Sequence, residues 1–125
     1  MKHLLDVNFL LAAIHAGHPQ NSVALGWLTG KAVAVCPLSE LGFLRISTNK
    51  KAFAVPMEQA REALQMFRDD RKAEFIAADL PALDSKPAKS DEVTDRYLAD
   101  LAQKHGLKLA TFDTGIKHKA VEVVA

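Results

Sequence analysis

Short apolar runs alternate with longer amphipathic stretches along this chain, and the alternation predicts strands and helices in turn. Residues 4–7, Leu-Leu-Asp-Val, predict a short buried strand, and a helix follows at once over about 8–15. Gly17-His18-Pro19 stops that helix. Pro19 falls near the first turn of a second helix, where its missing amide hydrogen costs no bond. This helix carries Val23, Trp27 and Leu28 on one side and ends at Gly30. Residues 32–36, Ala-Val-Ala-Val-Cys, are continuously apolar, as a strand covered on both faces requires.

Pro37 opens the next helix, which carries Leu41, Leu44 and Arg45. Pro56 opens another, with Met57, Ala60, Leu64 and Phe67 at helical spacing and Glu58, Arg61, Glu62 and Arg68 outside. Residues 74–77 predict a third strand, and 81–90, with Pro81, Ser85 and Pro87, a loop. A strongly amphipathic helix over 92–105 is closed by Gly106; residues 107–112 predict a strand and 121–124 a last short one. Apolar strands alternating with helices predict an α/β fold, a three-layer α/β/α sandwich around a central, mainly parallel sheet. No repeat, low-complexity segment or linker interrupts the pattern, so residues 1–125 read as a single domain.

Composition adds limits. Hydrophobic residues make up 49% of the chain and charged residues 25%, enough for a core without staples. With 16 basic and 15 acidic residues the formal charge is +1, so no overall field draws the protein to nucleic acid or membrane. A nucleic-acid substrate would need a local basic patch. The single cysteine, Cys36, excludes an intrachain disulfide, fits a reducing compartment and reads as an inert apolar side chain. Asp6 and Asn8 interrupt the apolar run over 4–14, which argues against a secretory signal. No stretch is long and apolar enough to span a bilayer, and the expectation is a soluble, cytoplasmic protein.

In parallel sheets the functional crevice lies beyond the carboxyl ends of the strands. Asp6 closes the first expected strand and Asp113 follows the one ending at Phe112. Glu40 falls in the first turn of the helix after the second strand, and Asp95 near the start of the helix after the loop. Like charges gathered at one place repel and raise one another's pKa. The usual reason to gather them is a hard divalent cation, which prefers oxygen ligands. No cysteines have metal-ligand spacing and no histidine is expected to pair with the acids, so zinc is disfavoured and magnesium or manganese fits. Such a metal activates water and stabilises charge on a phosphodiester under in-line attack; two of them, roughly 3.5–4 Å apart, would share that work. Taken singly, each acid also reads as a surface charge or cap: Asp95 as a helix-dipole partner, Asp113 before Thr114-Gly115 as a turn residue.

Four blocks of sequence go further. Leu4-Leu5-Asp6-Val7-Asn8 resembles the opening of PIN domains, especially the VapC-type toxins. Residues 36–45 (Cys-Pro-Leu-Ser-Glu-Leu-Gly-Phe-Leu-Arg), 93–102 (Val-Thr-Asp-Arg-Tyr-Leu-Ala-Asp-Leu-Ala) and 105–113 (His-Gly-Leu-Lys-Leu-Ala-Thr-Phe-Asp) resemble the second, third and fourth acidic motifs, in the family's order. The resemblance implies that Asp6, Glu40, Asp95 and Asp113 are the catalytic quartet and hold magnesium, with manganese as the alternative. It implies that Asn8 and Thr111 support them. It implies an endoribonuclease that leaves a 3′-hydroxyl and a 5′-phosphate on RNA, with tRNA a frequent target. It also implies a cognate antitoxin protein across the groove and a homodimer, with the helices near Trp27 and Met57 as surfaces. Two alternatives remain within the same fold: an RNA-processing nuclease without antitoxin, and a catalytically silent module binding RNA or protein. A receiver domain would need a paired acidic motif and a late strand-end lysine, which the chain lacks.

Arg45, beyond Glu40 on its helix, is a possible RNA-phosphate contact, as is Lys117. Lys50, Lys51, His118 and Lys119 read either as RNA backbone contacts or, preferably, as solvated surface. His3, His15, His18 and His105 read as packing, capping or exposed residues. Asp79, Asp84, Asp91 and Asp100 read as surface acids, with Asp100 the decoy on the Asp95 helix. Trp27, Met57, Leu64 and Phe67 read as core or interface.

Overall fold

The computed structural model describes residues 1–125. Five strands, β1 (His3–Leu5), β2 (Val33–Val35), β3 (Glu74–Phe75), β4 (Lys108–Thr111) and β5 (Val121–Val123), form one sheet in the order β3-β2-β1-β4-β5. Every pairing is parallel, so the sheet read as mainly parallel is wholly so. Five helices cover it: α1 (Val7–Ile14), α2 (Asn21–Leu28), α3 (Pro37–Thr48), α4 (Met57–Arg71) and α5 (Val93–Lys104).

Successive strand residues point to opposite faces, and the core divides accordingly. Leu5, Val33, Val35 and Ala110 face one way and pack with Phe9, Phe43, Leu64 and Phe67 of α1, α3 and α4. Leu4, Ala34 and Leu109 face the other way and pack with Leu98, Leu101 and Ala102 of α5. The three expected layers are therefore α1–α4, sheet, and α5. Each fully buried side chain such as Phe9, Phe43 or Leu98 contributes about 1.5–3 kcal/mol.

Local chemistry sets the boundaries. Asp6 ends β1 because its carboxylate turns to accept the Phe9 amide at 2.7 Å, capping α1. Pro37 occupies the first turn of α3, as expected. α5 stops at Gly106, whose φ of +71° suits glycine and few other residues. The loop over 81–90 holds a short 3-10 turn at Ala82–Asp84, and a second at Ser90–Glu92 leads into α5.

Four apolar positions differ from the periodic reading. In α2 the buried residues are Ala24 and Leu28, while Val23 is exposed and Trp27 half-buried. Leu41 is 62% exposed and Met57 51% exposed, because the facing sides of α3 and α4 line a groove and not the core. Periodicity marks an apolar side of a helix but not what covers it.

Helices α1 and α3 approach closely at Gly42, where an added Cβ would lie 2.5 Å from Val7 Cγ2. Gly42→Ala should therefore destabilise the fold by about 1–2 kcal/mol, since overpacking a stiff β-branched neighbour outweighs the gain in helix propensity. Thermal unfolding measures it; a variant as stable as wild type would show that the helices separate freely.

The topology also selects a location. β1 has β2 on one side and β4 on the other, so the chain leaves β1 in one direction and returns beside it from the opposite edge. Crevices at the carboxyl ends of such strands are where parallel α/β sheets bind ligands.

Candidate active site

Asp6 lies directly beyond β1 and Asp113 two residues beyond β4, so both stand at this switch point. Asp6 is 1% exposed. Burial pushes its carboxyl up to about 6; the Thr111 hydroxyl and the Phe9 amide oppose this, and the charges of Asp95 and Asp113 add to it. Asp95, in the first turn of α5, is raised first by burial, then by the charge and carboxyl contact of Asp113, and last by Asp91. Three aspartates from three elements thus share one electrostatic environment. None of the molecule's ion pairs involves any of them.

Thr111 is fully buried, and its Oγ1 accepts the Asp113 amide at 3.0 Å. Asp113 Oδ1 in turn accepts the Gly115 amide at 2.7 Å. Asn8 is exposed at the second position of α1.

Glu40 sits in the first turn of α3, at the same sheet edge, but its carboxyl is drawn elsewhere. Arg68 Nη1 of α4 lies 3.4 Å from Glu40 Oε2, without hydrogen-bond geometry, and Oε2 is buried with no hydrogen-bond partner. Burial raises the Glu40 carboxyl and Arg68 opposes the rise. Arg68 is held in place by the Phe75 ring, 5.6 Å from its guanidinium carbon. The structure therefore brings together Asp6, Asp95 and Asp113, and leaves Glu40 at the head of an adjoining groove of about 1060 Å³ between α3 and α4.

Donor chemistry at the switch point suits a hard divalent cation: the groups are all carboxylate oxygens, burial has made the charge of Asp6 and Asp95 costly, and none of the three aspartates is in an ion pair. As the side chains stand, no three acids or other ligating groups gather tightly around one point. The departure is clearest at Glu40, whose carboxyl faces Arg68.

A cleft of about 390 Å³ opens over Asp95 and Asp113, lined also by Lys89, Asp91, Glu92, Arg96 and Lys117. Lys117 thus stands beside the acids, whereas Arg45 is exposed near the end of α3. Lys89, Glu92 and Arg96 are cleft residues that the sequence reading passed over. Glu92, Asp95 and Arg96 follow the spacing of one helix face, which was the available signal. Arg68 had none, because its partner lies on another helix.

Histidines pair with acids outside the quartet and, as expected, with none of its four members. His3 bonds Glu122 at 2.9 Å, His105 bonds Asp79 at 2.8 Å and His118 bonds Asp100 at 2.8 Å. His118 and Asp100 are therefore neither solvated nor free. His15 stacks on Phe43 and Phe53, a packing role.

A parallel sheet with carboxylates at its switch point is the layout of a PIN fold, and residues 3–122 match the PIN domain. The chain belongs to the PIN domain family. Its relatives include the ribonuclease VapC38 of Mycobacterium tuberculosis, 36% identical over 121 residues that cover 90% of this chain and 86% of that one. Ribonuclease VapC44 of the same organism is 34% identical over 131 residues, covering 97% and 92%. Among solved structures, VapBC2 from Rickettsia felis, bound to a DNA fragment from their promoter, matches with a TM-score of 0.65 at 18% identity and covers 98% of both chains. No helix is long and apolar enough to cross a membrane.

Proposed function

We propose that this chain is a magnesium-dependent endoribonuclease acting as the toxin of a toxin–antitoxin pair. The observation that carries the reading is the meeting of Asp6, Asp95 and Asp113 at the switch point, buried or half-buried and without a cationic partner. Membership of the PIN family and the ribonuclease relatives support it.

Asp6, Asp95 and Asp113, with Glu40, would hold magnesium or manganese. The bound cation supplies Lewis acidity toward water and toward a phosphodiester oxygen. The residues themselves divide the remaining work. Asp6 is fixed by its cap bond to Phe9 and by Thr111, so it presents an oxygen of set direction. Asp113 is fixed by Gly115. Lys89, Arg96 and Lys117 line the cleft over the acids and meet RNA phosphates. Leu41, Met57 and Phe75, exposed along the α3–α4 groove, offer the antitoxin an apolar track that ends at Glu40.

Brief induced expression in a bacterial host tests both halves. Growth should stop, RNA should acquire new ends, and co-expression of the adjacent small gene should restore growth; Asp6→Asn should leave growth normal. Healthy growth with soluble protein that still cuts RNA would favour the RNA-processing nuclease. Soluble protein that cuts nothing would favour a silent binding module.

A further inference from the structure

The connection from β4 to β5 is unusually short. Parallel neighbours ordinarily need a crossover of a dozen or more residues, commonly a helix. Here residues 112–120 alone carry the chain from the carboxyl end of β4 back to the start of β5. That segment has no regular structure, yet it contains Asp113 and supplies Gly115, Ile116 and Lys117 to the acid cleft. Something must hold it.

His118 does so from the far side. Its side chain is 6% exposed, and Nε2 lies 2.8 Å from Asp100 Oδ1 on α5. His118 Nδ1 accepts the Ala120 amide at 3.0 Å, so that nitrogen carries no proton and Nε2 donates to Asp100. The His118 carbonyl accepts the Val121 amide at 3.1 Å, and the Ala120 carbonyl accepts the Leu109 amide at 2.8 Å, which ties the ring to the sheet. Asp100 Oδ2 lies 3.7 Å from Arg96 Nε, one turn earlier on α5 and in the cleft wall. Asp100 therefore bridges the segment that carries Asp113 and the helix that carries Asp95.

We propose that Asp100 and His118 form a positioning clamp that sets Asp113 against Asp95 and so determines cation affinity at the candidate site; this rests on the metal-nuclease reading above. Neither residue touches the reacting atoms. Asp113 leans on Thr111 at the end of β4 and on Gly115 in its own segment, and the hydrogen bond that joins that segment to the Asp95 helix is the clamp.

The test is Mn²⁺ titration of the purified full chain, followed by calorimetry or by the electron paramagnetic resonance of free Mn²⁺, together with amide hydrogen exchange in metal-free buffer. His118→Ala should weaken Mn²⁺ binding about 10–100-fold, the range seen when partners of metal ligands are lost. It should also speed exchange at the Gly115 amide. His118→Gln, which keeps an N–H near the Nε2 position, should restore both. In an Asp100→Ala background the His118 change should add nothing further, since both remove one contact; Asp100→Ala alone serves if His118→Ala does not fold. His3→Ala breaks the comparable buried pair with Glu122 away from the acids, and should cost stability without changing Mn²⁺ affinity. Wild-type affinity in His118→Ala, or an equal loss in His3→Ala, overturns the clamp. Failure of wild type itself to bind Mn²⁺ overturns the metal reading and the clamp with it.

Discussion

Asp6→Asn, Asp95→Asn and Asp113→Asn should each lower magnesium-dependent RNA cleavage by about 100-fold or more. Loss of a group that merely orients a metal ligand typically costs about 10–100-fold, and loss of a ligand's charge should cost at least the upper end of that range. Asparagine keeps the shape and one oxygen, so the change isolates charge. At Asp6 it also keeps the helix cap, because asparagine caps as well as aspartate. Glu40→Gln should fall in the same range, since a neutral amide cannot leave Arg68 for a cation with the same gain. Asp84→Asn, in the exposed 3-10 turn of the loop, should cleave as wild type does. Excess EDTA should abolish cleavage by every protein in the set. Undiminished cleavage in EDTA, or three asparagine variants as active as wild type, would remove the metal mechanism.

The same substitution should do the opposite to stability. In metal-free buffer near pH 7.5, Asp6→Asn should be more stable than wild type by up to about 3 kcal/mol. The folded Asp6 carboxyl sits at about 6 against an ordinary value of 3.8, and each pKa unit corresponds to about 1.4 kcal/mol. The sign follows from linkage: a carboxyl whose pKa is raised by folding penalises the fold once it ionises. The penalty is absent below about pH 4, grows as pH rises, and is complete above about pH 6. The difference between variant and wild type should follow that curve. His15, lowered by burial and by His18, acts in the opposite sense, losing stability as pH falls through its titration. It is present in both proteins and cancels in the difference. Asp95, raised for the same reasons as Asp6, should behave likewise with a smaller effect, being only half-buried. Millimolar magnesium should reverse the ranking, because it binds only the assembled site and stabilises wild type by mass action. Denaturant unfolding from pH 4 to 8, with EDTA and with magnesium, measures all of this. A difference that stays flat with pH would show that Asp6 is not an ionised, buried carboxylate. A variant inactive yet more stable would separate the loss of chemistry from any loss of fold.

Much of this architecture was legible from residue order. The apolar runs at 32–36 and 107–112 contain β2 and β4, whose Val33–Val35 and Leu109–Thr111 are buried, and Pro37 and Gly106 mark helix ends because ring closure and a positive φ act locally. The strand-end rule puts Asp6 and Asp113 at one edge from residue order alone, since it needs only strand direction. What the sequence could not determine depends on contacts between distant segments. Val23, Leu41 and Met57 follow apolar periodicity, yet exposure is set by which helix lies opposite, and for Leu41 and Met57 that neighbour leaves a groove. Asp100 read as a bystander because its partner His118 is on another segment, brought within 2.8 Å only by the short return to β5. Glu40 matched its motif, but the direction of its carboxyl is set by Arg68, which α4 delivers. Local signals decide where elements begin and end, because backbone geometry and caps act over a few residues. The pairing of charges is decided by packing, because a carboxylate responds to whatever the fold places within a few ångströms of it.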